Sequence, residues 1–411
     1  MASHVVSSNK FAVVVNDFNS FLAFASYAVR VGQTDKHNLP RTLLQRSSEM
    51  TETDWAAWSV MRAQNPALRS PYFHPDYAKI LSDIRPDVRI VCQYEEDGTP
   101  LAFLPLQGQR FTRPVGAPMS DYHGIITRDN DVTYDSLLTG TGIGAFHYSC
   151  ATDPNRLRLP QILSKSVTAA IEIDTSVDDW RAGRDGSYRR HLKSNRRRTR
   201  KADEDIGTPR IELFSRNIDV YQSLIDWKRK KFTQTGKYDV LSADWTQSLI
   251  RSLWERGIKA DLRCDMHALY FGDRLAAIDL GLSDGDVFHS WMVAYDDELS
   301  EYGPGIQLLE MLIDASDDTG YRKIDMGEGL DGYKRHYASA SAEVVSGFVP
   351  LSGAAGRLSR IYAATERWGV GRLKDAPGKL RRRYSQIAAC EDNLGGRTRH
   401  MIAAFVKTGR A

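Results

Sequence analysis

"KADLRCDMHALYFGDRLAAIDLGLSDGDVFHSWMVAYD", residues 259–296, reads as three consecutive strands. Aliphatic and aromatic side chains dominate it, and Gly272-Asp273 and Asp284-Gly285 supply two tight turns, so the segment predicts an antiparallel meander. After it come a short loop, "DELSEYGPGI", and a helix over "PGIQLLEMLIDASDDTG" that opens at Pro304, a residue suited to a first helical position. "RKIDMG" (322–327) is then a strand, "DGYKRHYA" (331–338) a short helix and "AEVVSGFVPL" (342–351) a last strand. Before the meander, "SVTAAIEID" (166–174) is a strand, a long basic helix runs from Trp180, and "RIELFSR" (210–216) is a strand. Helices follow around Tyr221 to Phe232 and Trp245 to Trp254.

The same order stands earlier in the chain. "RTLLQR" (41–46) is strand-like, and "TETDWAAWSVMRAQ" (51–64) and "PDYAKILSDI" (75–84) are helices. "VRIVCQYEEDGTPLAFLPLQG" (88–108) is a hairpin turning at Asp97-Gly98, "RFTRPVG" a third strand, "DVTYDSLLTGTG" a helix and "IGAFHYSCA" a strand. The hairpins "EEDGTPLAF" and "FGDRLAAID" resemble each other, which points to a weak internal duplication; two unrelated antiparallel hairpins would also look alike. The expected organisation is an extension over 1–40, one unit over 41–165, a second over 166–350 and a basic helical tail over 351–411 that includes "KLRRRYSQIAA".

Composition narrows the class. The 411 residues carry 55 basic and 52 acidic side chains, a net charge of +3, so attraction to polyanions must come from local clusters. The 4 cysteines, Cys92, Cys150, Cys264 and Cys390, form no Cys-x-x-Cys pair, which argues against zinc knuckles and disulfide frameworks and fits a reduced cytosol. The 10 histidines form no His-x-x-x-His, so no metal is expected. "FAVVVNDFNSFLAFASYAV" (11–29), interrupted by Asn16, Asp17 and Asn19, is expected to be a short strand or helix rather than a signal or span. A cytoplasmic protein, in solution or peripheral at the inner membrane face, is expected.

Two segments carry polar chemistry. The Gly-Pro-Gly before the helix at Pro304 leaves first-turn N–H groups to face an anion, so Gly303, Gly305, Ile306 and Gln307 are candidates for holding a diphosphate; a plain turn is the simpler reading. "SYRRHLKSNRRRTRKADED" (187–205) concentrates cations, among them Arg196, Arg197 and Arg198. Such a run is commonly a solvated helix face; functionally it would grip phosphates of an acceptor or rest on an anionic membrane surface. Nucleic acid ranks last, because only Tyr188 interleaves the cations.

The runs "GDRLAAIDLGL", "WMVAYDDELSEYGPGIQLLEML" and "GYRKIDMGEGLDGYKRHYA" resemble the acetyltransferase domain of the CelD-like proteins associated with cellulose and exopolysaccharide biosynthesis. That family is a branch of the GNAT superfamily akin to Fem-type peptide transferases. The likeness covers about residues 166 to 350, and "SPYFHPDYAKIL", "GTPLAFLPL" and "RPVGAPMSDYHG" resemble its N-terminal half. The resemblance implies an α/β fold with a mixed sheet, two tandem GNAT-like units, acetyl-CoA or another acyl-CoA as co-substrate, and a sugar, polysaccharide or envelope-precursor acceptor. It also implies that "RKIDMG" and "FHSWMVAYD" splay apart to admit the pantetheine arm. Tyr333 and Tyr337 then become candidates for protonating the departing thiolate, and Lys334 for stabilising developing charge. His289 and Asp279, on adjacent meander strands, are candidates for base and orienting carboxylate. Three of them have a plainer reading: Lys334 on a solvated face, Tyr337 and His289 in the core. A Fem-type transfer from aminoacyl-tRNA and a non-catalytic anion-binding scaffold remain alternatives.

Overall fold

A computed structural model describes residues 40–152, 161–351, 353–364, 376–391, 395–399 and 401. The apolar stretch 11–29 lies outside the described residues, as does part of the C-terminal tail. The first half of the fold runs β1 (Arg41–Gln45), α1 (Glu52–Ala63), α2 (Pro75–Ile84), β2 (Val88–Tyr94), β3 (Pro100–Gly108), β4 (Phe111–Pro114), β5 (Ile126–Thr127), α3 (Tyr134–Leu138) and β6 (Ala145–Ala151). After β7 (Ile162–Glu172), α4 (Val177–Ala182) and α5 (Gly186–Asp205), the order returns as β8 (Pro209–Glu212), α6 (Ile218–Gln234), α7 (Asp244–Glu255), β9 (Leu262–Phe271), β10 (Arg274–Asp284), β11 (Val287–Tyr295), α8 (Pro304–Asp314), α9 (Ser316–Thr319) and β12 (Lys323–Glu328). α10 (Lys334–Tyr337), β13 (Glu343–Pro350), α11 (Gly353–Ala364) and α12 (Ala376–Cys390) complete it.

Local chemistry explains several boundaries. Thr51 starts α1 with a capping box: its Oγ1 accepts from the Asp54 N–H at 3.2 Å while Asp54 accepts from the Thr51 N–H at 2.8 Å. The long basic helix expected from Trp180 is two helices. α4 ends at Gly183, and Asp185 restarts the chain by accepting from the Tyr188 N–H at 2.9 Å. The meander β9–β10–β11 pairs antiparallel as its turns predict.

A mixed sheet runs through the described residues in the order β1-β2-β3-β4-β6-β13-β7-β12-β11-β10-β9-β8, with β5 on β3. In each half a meander's last strand runs parallel to a later strand, β4 beside β6 and β11 beside β12. The middle of the sheet is crossed. β7, which follows the first half, pairs with β12 of the second; β13, at the end of the second, pairs with β6 of the first; and β7 and β13 pair with each other. The border expected between residues 165 and 166 therefore falls inside β7. Trp58, Tyr72 and Tyr77 from the first half share one buried cluster with Leu224, Leu253, Ile278 and Met292 from the second.

Candidate functional site

β11 and β12 touch over three residue pairs, Val287 with Lys323, Phe288 with Ile324 and His289 with Asp325, although both strands continue beyond them. β12 also shifts register against β7 between Asp325 and Glu328. Gly327 lies in that shift with φ +79°, a conformation open to glycine at little cost. The strands thus part where the sequence reading placed a splay, and polar side chains gather at the parting.

His289 lies at the centre, with no solvent exposure. Its Nε2 donates to Asp121 Oδ2 at 2.7 Å, and its Nδ1 lies 3.5 Å from Asp325 Oδ1, an ion-pair contact rather than a formed hydrogen bond. Asp325 Oδ1 accepts from the Tyr122 hydroxyl and the Gly327 N–H, both at 2.8 Å. Burial disfavours the imidazolium, but Asp325 and the bond to Asp121 outweigh it and push the His289 pKa up to about 10. Burial likewise opposes charge on Asp325, yet the imidazolium and the two donors hold its carboxyl below the usual range. The rings of Tyr72 and Tyr122 meet the imidazole edge-on, with centroids 5.0 and 5.4 Å away. At neutral pH His289 is a protonated, enclosed group that anchors Asp121, whose own side chain is 39% exposed.

Lys334 completes the group. Its Nζ donates to the Glu328 carbonyl at 2.9 Å, and burial lowers its pKa against the pull of Asp121, Asp325, Glu328 and Asp331. A Cβ placed on Gly327 would lie 3.5 Å from Asp121 Oδ2, 3.9 Å from His289 Cε1 and 4.0 Å from Lys334 Nζ. A carboxylate, an imidazolium and an ammonium therefore converge on one point over the glycine.

The other expected residues divide. Asp279 does not orient His289; its Oδ2 accepts from Ser290 Oγ at 2.7 Å, and burial pushes its pKa up to about 6. Tyr333 is half-buried beside Tyr337, and burial pushes its pKa up to about 12. Tyr337 is fully buried, donating to Glu310 Oε1 at 2.6 Å and accepting from Asn195 Nδ2 at 3.0 Å, which gives its hydroxyl a structural task. At the start of α8, the Ile306 and Gln307 N–H groups both bond the Gly303 carbonyl, at 3.1 and 3.2 Å, and the Gln307 side chain is buried against the Tyr302 carbonyl. A Cβ on Gly303, whose φ is +66°, would lie 3.2 Å from Arg198 Nη1. Arg198 thus joins the basic helix to the glycine turn, while Arg196 and Arg197 are exposed along α5. Among the described residues no group of three His, Cys, Asp or Glu is placed to hold a metal, and no helix is long and apolar enough to cross a membrane.

Residues 187–335 match the family described as an acetyltransferase (GNAT) domain. That stretch is a GNAT-type acetyltransferase domain. No curated protein matches the chain's sequence. Among solved structures it is similar to FemX, at 10% identity over 74% of this chain and 96% of that one, with a TM-score of 0.46. It is similar to L-PGS from Bacillus licheniformis, at 11% identity over 76% and 97% of the two chains, TM-score 0.42. A tandem GNAT protein from the clavulanic acid biosynthesis pathway aligns at 8% identity over 76% and 100%, TM-score 0.42. At these values the likenesses carry nothing about the reaction.

The sequence reading missed Asp121, Tyr122 and Tyr72, all outside the matched GNAT domain. Their signal was present as "SPYFHP" and "RPVGAPMSDYHG", loops too rich in proline, glycine and aromatic residues to be plain connectors, but nothing in them named a partner in the other half.

Proposed function

We propose that the chain transfers an acyl group from acetyl-CoA or another acyl-CoA to a nitrogen or oxygen of a sugar, polysaccharide or cell-envelope precursor, by direct attack on the thioester. The observation that carries this reading is the parting of β11 and β12 at His289 and Asp325, with Asp121 and Lys334 facing the same point over Gly327. Asp121 accepts the proton of the attacking group, and His289 fixes the orientation and charge of Asp121. Lys334, tethered to the Glu328 carbonyl, faces the negative charge that develops on the carbonyl oxygen; a well-placed donor of this kind contributes ~3–4 kcal/mol. Tyr333 is the nearer of the two tyrosines to proton donation, since Tyr337 is committed to Glu310 and Asn195. Coenzyme A fits the turn at Gly303, where left-handed backbone and the Arg198 guanidinium stand together. The two units proposed for the chain divide the work, the first supplying Asp121 and the second His289, Asp325 and Lys334. The reading places the reaction in the cytoplasm, facing the membrane where envelope precursors are built.

The exposed arginines of α5 favour a second reading, in which the donor is an aminoacyl-tRNA whose phosphates they track. Calorimetry with acetyl-CoA, longer acyl-CoAs and charged tRNA separates the two. Saturable acyl-CoA binding weakened by Arg198→Glu is expected; binding of charged tRNA alone would replace the first reading with the second.

A further inference from the structure

α11 packs on β13 and β6 through Gly356 and Ser359, both buried, and Ser359 Oγ lies 2.9 Å from His147 Nε2. Its outer side has two stripes. Ala354, Leu358 and Ile361, at i, i+4 and i+7, are exposed, Leu358 at 57% and Ile361 at 60%. Arg357 and Arg360, also exposed, form the second stripe and reach into a cavity of about 940 Å³ whose other lining includes Asp135, Leu138, Ile143 and Leu351. The same edge holds exposed Arg110 and Phe111, tied in by the Gly144 N–H to the Arg110 carbonyl (2.9 Å) and the Leu351 N–H to the Gly144 carbonyl (3.1 Å).

We propose that this edge docks the chain on an anionic phospholipid bilayer, with Leu358 and Ile361 entering the interface and Arg357 and Arg360 gripping headgroup phosphates at the mouth of the cavity. Apolar side chains flanked by guanidinium groups along one helix face are the pattern of a helix lying in a membrane interface. Charge decides against a protein surface of ordinary composition: the cavity presents two arginines against one acid, Asp135, beside an apolar stripe. α5 is more basic, yet among its residues no large apolar side chain is exposed, so it offers charge without an anchor. The proposal is independent of the identity of the acyl donor.

The test is co-sedimentation of the full chain with vesicles of phosphatidylcholine alone and of phosphatidylcholine mixed with phosphatidylglycerol, across a series of salt concentrations. Binding to the mixed vesicles that weakens with salt is expected. Arg357→Gln and Arg360→Gln should each weaken it about fivefold, and Leu358→Ser with Ile361→Ser at least about tenfold. All four positions are exposed, so an unchanged melting temperature will show that the variants fold. Arg196→Glu, Arg197→Glu and Arg198→Glu together should leave sedimentation in place. Equal or absent binding to both vesicle types, indifference to the α11 substitutions, or loss of binding through the α5 substitutions would each overturn the proposal. So would a wild-type dimer that Leu358→Ser and Ile361→Ser dissolve, since the stripe would then cover a second copy.

Discussion

Asp121→Asn isolates charge from shape at the site. The asparagine amide oxygen can still accept from His289 Nε2, so the 2.7 Å contact is kept while the negative charge is lost. A hydrogen bond to a charged group is worth ~1.5–3 kcal/mol, and a pKa unit corresponds to ~1.4 kcal/mol, so the substitution should lower the His289 pKa by ~1–2 units. From about 10 it falls to ~8–9, with Asp325 retaining the remainder. Folding raises this pKa, so the stability it contributes is complete below the unfolded value of ~6.5 and drains away as pH rises through the folded value. The variant should therefore lose stability over a lower alkaline range than the wild type. The assay is an NMR titration of the histidine rings, with the His289 signal assigned by its disappearance in His289→Gln, alongside turnover of an acyl-CoA. If Asp121 takes the acceptor's proton, turnover should fall ~10²–10⁴-fold. An unmoved His289 titration, or wild-type turnover, would refute the reasoning.

Lys334→Met keeps most of the side-chain stem and removes the ammonium; acyl-CoA affinity should survive while turnover falls at least ~100-fold, the pattern of an interaction made in the transition state, as single-turnover kinetics would show. Tyr337→Phe should behave oppositely, costing ~1–3 kcal/mol of stability by leaving Glu310 Oε1 and Asn195 Nδ2 without this partner, though Arg181 still holds Glu310 Oε2, and leaving turnover of the folded enzyme unchanged in a paired denaturation and rate measurement. Gly305→Val adds a branched side chain where even a bare Cβ would lie 3.7 Å from Tyr295 and Val293; calorimetry should find coenzyme A binding sharply weakened in a variant that still melts cooperatively.

The alternation and paired turns of residues 259–296 were enough to place β9, β10 and β11, because consecutive antiparallel strands carry their partner in their own turn. Pro304 marked the start of α8 because it suits a first helical position, and the glycines after Asp325 marked the departure of β12 because positive φ suits glycine. Partnership at long range left no such mark. Asp121 reaches His289 across 168 residues, and neither segment alone encodes the other. The strands β7 and β13 alternate like any others, so period alone could not say that each would pair with the opposite half. Tyr333 and Tyr337 looked equivalent in a short polar helix, and only Asn195 and Glu310, from distant helices, tell them apart.

The crossing of β7 and β13 makes the two halves hostages to each other. Separating the chain within β7 would strip β12 of its outer neighbour and leave β13 without the strand it meets on one side and β6 on the other. Each fragment would then display bare sheet edges, the surfaces on which chains aggregate.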